Sequence, residues 1–186
     1  MQLDTQMLFA TASLSCGALN TILAAFTTAG DHGLVWLIAA AVLLLNKQTR
    51  KTGWMLLFSI ALAYIIGDTI IKETVMRARP FQQIEGISLL IPPPDGYSFP
   101  SGHTSSSFAA LVVFYAAMPK MRIPAMVYAL LIAFSRVYFM VHFPFDVLAG
   151  ALLGIGCAYF VMAIFRRRKL PIDLYALDFP TCRSYF

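Results

Sequence analysis

Residues 143–165 read FPFDVLAGALLGIGCAYFVMAIF, and Arg166, Arg167, Arg168 and Lys169 follow. The run holds one charge, Asp146 near its start, and is long enough to cross a bilayer as a helix, which takes roughly 17–25 mostly apolar residues. Gly150 and Gly154 stand one helical turn apart, the spacing at which small residues let two membrane helices approach closely. The basic cluster then closes the span at the interface. Working backwards, 123–141, 101–118 and 53–71 are runs of the same kind. Leu34–Leu45 is shorter, and its helix is expected to extend into both interfaces. The fold class expected is therefore all-α, a polytopic helical membrane protein with five transmembrane helices plus an N-terminal helix.

Composition agrees. With 59% hydrophobic and only 12% charged residues among 186, the chain is not an ordinary soluble domain. The net charge of +5 does not point to nucleic acid, because the basic residues sit at the ends of apolar runs; membrane lipids and an anionic lipid headgroup are the expected partners. Cys16, Cys157 and Cys182 have no metal-site spacing and read as small packing residues. Residues 7–29 carry no charge and are rich in Thr, Ser, Gly and Ala, with Leu19, Ile22, Leu23 and Phe26 at helical spacing. That segment suits an interfacial helix as well as a sixth span. A cleaved signal peptide is not expected, since a basic leading region is missing. Gly30-Asp31-His32-Gly33 breaks the run.

Orientation follows from the basic residues. Lys47, Arg50, Lys51, Lys120, Arg122 and the cluster Arg166, Arg167, Arg168 and Lys169 fall on one side of the bilayer, against Lys72, Arg77, Arg79 and Arg136 on the other. The positive-inside rule makes the first side cytoplasmic. The remaining polar chemistry then gathers at the outer face. Pro100-Ser101-Gly102-His103 ends a long Pro-rich loop, 80–100, and opens a Ser-rich helix. A helix start offers unpaired N–H groups and positive potential to an anion, and His103 can carry a proton near neutral pH.

Lys72 and Arg79 form a second group. If the helix continues past Ile71, seven residues bring Arg79 back to nearly the face of Lys72, while Arg77 points away. Two cations on one face suit a doubly charged phosphate. The alternative is a snorkelling pair in which Lys72 satisfies Asp68, a carboxylate inside the 53–71 run. A third group is Arg136, His142 and Asp146. Arg136 sits in an apolar span and should face the bundle interior. His142 and Asp146 flank Pro144, so they are related by a turn, and a carboxylate beside an imidazole orients it and leaves the other nitrogen free to attack an electrophile.

Lys72 with six residues before Arg79-Pro80, then Pro100-Ser101-Gly102-His103, then Arg136 with five residues before His142 and three more before Asp146, resembles the complete three-part signature of the type 2 phosphatidic acid phosphatase superfamily. The resemblance covers about residues 30–165, and its long spans match the membrane lipid phosphatases of that superfamily and not its soluble haloperoxidases. It implies His142 as nucleophile forming a phosphohistidine, Asp146 orienting it, and His103 as general acid. It implies Lys72, Arg79, Ser101, Gly102 and Arg136 as the phosphate cradle, with neither metal nor other cofactor. Undecaprenyl diphosphate, phosphatidylglycerophosphate, phosphatidate and diacylglycerol diphosphate are the candidate substrates it implies.

The chain is then expected to be one membrane-embedded phosphatase domain, 1–186: an N-terminal interfacial or transmembrane helix to 29, a catalytic bundle over 30–169 and a short cytoplasmic tail over 170–186. The cell membrane is the expected location, with the active site on the extracytoplasmic face. A lipid phosphotransferase using the same intermediate, and a transporter using Asp68 and Arg136 as intramembrane charges, are the other readings; oligomeric state is not indicated by the sequence.

Overall fold

The computed structural model describes residues 2–167, and every regular element among them is helical. Helices α1 (Gln2–Ala12) and α2 (Gly17–Ala29) meet at 115° across a short break. A 3-10 turn at Asp31–Gly33 leads into α3 (Leu34–Leu45) and then α4 (Arg50–Tyr64). A π-helical stretch, Ile65–Ile71, carries α4 into α5 (Lys72–Val75). The short α6 (Pro80–Gln83), then α7 (Gly102–Ala117), α8 (Arg122–Tyr138) and α9 (Pro144–Arg167) complete the order. Arg168, Lys169, Cys182 and the expected tail lie outside the described residues.

The bundle is built around α7, which packs against α4, α8 and α9. Its buried face is made of small side chains, Thr104, Ser105, Ser107, Ala109 and Ala110, so neighbouring backbones come close. The closest is α9, at the two glycines singled out by their spacing. A Cβ on Gly154 would stand 2.1 Å from the Ser105 carbonyl oxygen, and one on Gly150 would stand 2.5 Å from that of Ser101. The buried hydroxyls find partners: Ser105 Oγ donates to the Gly102 carbonyl at 3.0 Å, and Ser107 Oγ accepts from Trp36 Nε1 at 3.0 Å. Below the serines the core turns apolar, with Leu56, Ala110, Val113 and Ala158 sealed beside Trp36 and Phe114.

The outside is as apolar as the inside. Ile38, Val42, Ile123, Leu130, Leu152 and Phe160 are each more than half exposed, an exterior that lipid favours and water does not. Arg50–Gln83, Pro119–Tyr138 and Pro144–Arg167 are long and apolar enough to cross a membrane, and the bent pair of α1 and α2 is a fourth if it forms one span. This is a multi-pass membrane protein. Two expectations change. The helix at Leu34–Leu45 does not extend: it stops at Asn46, which is extended at φ −102°, ψ 127°, so its 12 residues reach about 18 Å. The helix bearing Lys72 stops at Val75, where Met76 turns left-handed at φ 49°. Arg79 is therefore not a continuation of the Lys72 face; it precedes α6, whose Pro80 starts a new helix.

The glycine packing yields a paired test. Gly154→Ala forces α7 and α9 apart and should cost about 1–3 kcal/mol of stability, the usual penalty for overpacking. Gly156→Ala meets nothing within 4 Å and should be neutral or stabilising by about 0.5–1 kcal/mol. Thermal unfolding of the two variants in detergent distinguishes them, and equal midpoints would contradict the close packing.

Candidate active site

Three chain segments that are distant in sequence end at one level of the bundle. The π-helical stretch delivers Asp68 and Lys72, α7 begins at Gly102 and His103, and α8 ends beside Arg136 with His142 in the turn before α9. A cavity of about 430 Å³ lies between them, lined by Lys72, Arg79, Gly102, His103, Arg136 and His142 together with Asp31, Asp68 and the loop 91–95. Six of the eight residues expected from sequence thus share one cavity. The other two stand behind its wall. Ser101 is fully buried, its N–H donating to the Asp146 carbonyl at 3.0 Å and its Oγ accepting from Thr104 at 3.0 Å. Asp146 is fully buried at the start of α9 and accepts the Phe143 N–H at 2.9 Å, which caps that helix.

The state of His142 follows from its partners. Nδ1 lies 2.7 Å from the Ser98 carbonyl oxygen, which can only accept, so Nδ1 carries the hydrogen. Nε2 then holds the lone pair, and Arg79 Nη1 points at it from 3.2 Å. Burial, the largest influence, holds the imidazole below its ordinary pKa, and Arg136 and Arg79 act in the same direction against Asp146. The ring is neutral at pH 7. Asp146 Oδ2 lies 3.8 Å from Nδ1, at ion-pair range, and its short hydrogen bond is from Ser98 Oγ at 2.5 Å.

The cations divide their work. Arg79 spends its guanidinium on three carbonyls, with Nε to Gly96 at 2.9 Å, Nη2 to Asp95 at 2.8 Å and Nη1 to Val141 at 3.0 Å, which fastens the Pro-rich loop over the site. Arg136 donates from Nη1 to Thr27 Oγ1 at 2.6 Å, while its buried Nε has no partner among the described residues. A buried guanidinium N–H beside a cavity is a strong donor for an anionic acceptor. Lys72 Nζ pairs with Asp68, as one of the two sequence readings had it. The Asp68 carboxylate lies against the start of α7, where a Cβ on Gly102 would be 2.8 Å from both its oxygens. A carboxylate thus already rests at that positive helix end. His103 Nε2 lies 2.8 Å from Asp31 Oδ1, so this nitrogen is the donor.

Sequence reasoning missed Ser98, Asp31 and Arg77. Ser98 acts through its carbonyl, which no side-chain pattern announces. Asp31 sat in a stretch legible only as a helix break. Arg77 was turned away by a helix that does not continue, and in the structure its guanidinium pairs with Asp146 and Asp4.

Residues 52–170 match the model of the PAP2 superfamily, well over half of the chain, and the protein belongs to that superfamily. Among curated relatives, an undecaprenyl-diphosphatase of Sulfolobus acidocaldarius is 40% identical over 121 residues, 64% of this chain and 58% of the relative. A decaprenylphosphoryl-5-phosphoribose phosphatase of Mycobacterium tuberculosis is 31% identical over 129 residues, 67% and 68% of the two chains. The chain thus spans little more than half the length of the first of these. Among solved structures, Aquifex aeolicus LpxE superposes with a TM-score of 0.78 at 26% identity, covering 87% of this chain and 95% of its own. A PAP2-type phosphatidylglycerolphosphate phosphatase from Bacillus subtilis superposes at 0.74 with 25% identity, covering 91% and 87%.

The unpaired Arg136 Nε predicts how the site treats inorganic phosphate. A charged hydrogen bond is worth about 1.5–3 kcal/mol, so Arg136→Gln should weaken inhibition by orthophosphate about ten- to a hundredfold. An unchanged inhibition constant would show that the donor does not meet the phosphoryl group.

Proposed function

We propose that the protein is an integral membrane lipid phosphatase that hydrolyses a lipid phosphate or diphosphate at the extracytoplasmic face through a phosphohistidine at His142. The observation that carries the reading is the single cavity into which the lone pair of His142 Nε2, three cations and the start of α7 all open. Nε2 attacks phosphorus, the N–P bond forms, and the bond from phosphorus to the leaving lipid oxygen breaks. His103 enters this step as the imidazolium, and with Asp31 still holding Nε2–H it gives that oxygen the proton on Nδ1 and becomes neutral. The phosphorylated ring is cationic while Nδ1 keeps its hydrogen, and the Ser98 carbonyl with Asp146 behind it offsets that charge. Water then attacks phosphorus, its proton passes to His103, and orthophosphate leaves with His142 neutral again. Lys72, Arg79, Arg136 and the Gly102 N–H stabilise the phosphoryl oxygens throughout, with no step assigned to a metal. Ser101, behind the wall, braces the start of α7 against α9.

A lipid diphosphate carried on a polyprenyl chain is the favoured substrate, supported by the name of the Sulfolobus relative. Five spans, α3, α4 with its extension, α7, α8 and α9, would cross the bilayer as one domain over 30–169, with α1 and α2 as the bent N-terminal pair. The basic turns at Lys47–Lys51 and at Lys120 and Arg122, at the far end of the bundle, support a cavity that faces away from the cytoplasm.

Purified protein in detergent should release orthophosphate from undecaprenyl diphosphate with water as the only acceptor and with chelator present. His142→Ala should lower the rate at least about a thousandfold, the scale of losing a nucleophile. Turnover that needs a second lipid, or that survives His142→Ala, would overturn the reading.

A further inference from the structure

We propose that Arg77 is a positioning residue for the nucleophile, and that Asp4, from the N-terminal helix, sets Arg77 in turn. The inference rests on His142 as the attacking group.

Three contacts lead from Arg77 to the surroundings of His142, and a fourth leads to Asp4. Its Nη1 donates to Asp146 Oδ1 at 2.5 Å, compensating a carboxylate that is fully buried. Its backbone carbonyl accepts the Ser98 N–H at 2.7 Å, and the carbonyl of Ser98 is the acceptor that fixes His142 Nδ1. The guanidinium carbon lies 4.1 Å from the centre of the Phe143 ring, stacked on the residue next to the nucleophile. Its Nη2 donates to Asp4 Oδ2 at 2.6 Å. One residue thus reaches both acceptors that face the imidazole: Asp146 through its side chain, and Ser98 through its main-chain carbonyl, which a substitution moves only by shifting the backbone.

Asp4 closes the circuit. It is only 2% exposed, and a buried carboxylate is stable only when its oxygens are paired. Oδ2 takes Arg77, and Oδ1 accepts the Phe145 N–H at 3.1 Å, in the first turn of α9. Asp4 therefore caps the helix bearing Asp146 while holding the arginine that neutralises Asp146. The N-terminal helix thus reaches the turn that carries His142 through Asp4, and through Leu8, which is buried against Phe143 and Val137. Neither Arg77 nor Asp4 lines the cavity. Their loss should leave substrate binding intact and impair the attack.

The test compares Arg77→Met, Arg77→Lys, Asp4→Asn and the Arg77→Met/Asp4→Asn double variant in the full chain. Readouts are kcat, KM and the rate at which phosphate is trapped on His142. Misplacing a reacting group by about 1 Å costs on the order of a hundredfold, so Arg77→Met should lose about that in kcat with KM within about twofold. Arg77→Lys should recover part of the loss. Asp4→Asn keeps an acceptor for Phe145, loses the charge that Arg77 meets, and should fall about fivefold or more. The double variant should be no worse than Arg77→Met alone, as coupled residues require. Each variant is checked for wild-type unfolding temperature within a few degrees, and the two milder ones carry the test if Arg77→Met fails to fold. Full kcat in Asp4→Asn and Arg77→Lys, parallel changes in kcat and KM, or additive losses would overturn the proposal. Wild type that hydrolyses substrate but places no phosphate on His142 would overturn this and the nucleophile assignment together.

Discussion

Contact between α7 and α9 at Gly150 and Gly154 sets the position of everything else. With no side chain at those positions, the backbone of α9 lies on the Ser101 and Ser105 carbonyls. That brings the first turn of α9 level with the start of α7 and lets the Ser101 N–H reach the Asp146 carbonyl. The start of α7 and the turn that carries His142 into α9 are thereby held close to each other. A membrane favours this solution, because lipid gives helices little hydrophobic reason to associate and close packing must supply the attraction.

Charge is managed by pairing inside the site and by leaving one donor open. Lys72 rests on Asp68, His103 on Asp31, and Arg79 on loop carbonyls. Arg136 keeps Nε unpaired. A phosphoryl group entering the cavity would meet that donor, the lone pair of His142 and the start of α7, and would have to share the last with Asp68. That competition gives a reason for a carboxylate to stand in a phosphate site, since it keeps Lys72 and the helix end satisfied while the cavity is empty.

Much of this was legible in the sequence, for physical reasons that also mark where legibility ended. Spans show because lipid demands long apolar runs, and the spacing of Gly150 and Gly154 shows that another helix can approach α9 closely, though not that the helix is α7. Lys72, Arg79, His103, Arg136 and His142 stood out as polar or ionisable groups in or beside apolar runs, and in the structure they line one cavity. The relation of Lys72 to Arg79 was misjudged, because the π-helical stretch and the left-handed Met76 break a helical phase that sequence extrapolates without interruption. Ser98 was overlooked because its contact with His142 is through its carbonyl and its hydroxyl meets Asp146 only across 48 positions of chain. Asp4 was overlooked and Arg77 was turned away because their side-chain hydrogen-bond partners lie 69 or more positions away in the chain, a proximity created only by folding.

The central claim is that His142 Nε2 is the atom that takes the phosphoryl group. Brief mixing of the protein with substrate labelled in the terminal phosphate, followed by alkaline quench and peptide mapping, tests it directly. The account predicts an acid-labile, alkali-stable label on the peptide containing His142, formed no more slowly than turnover. Label on another residue, or turnover with no label on His142 at any quench time, would contradict it.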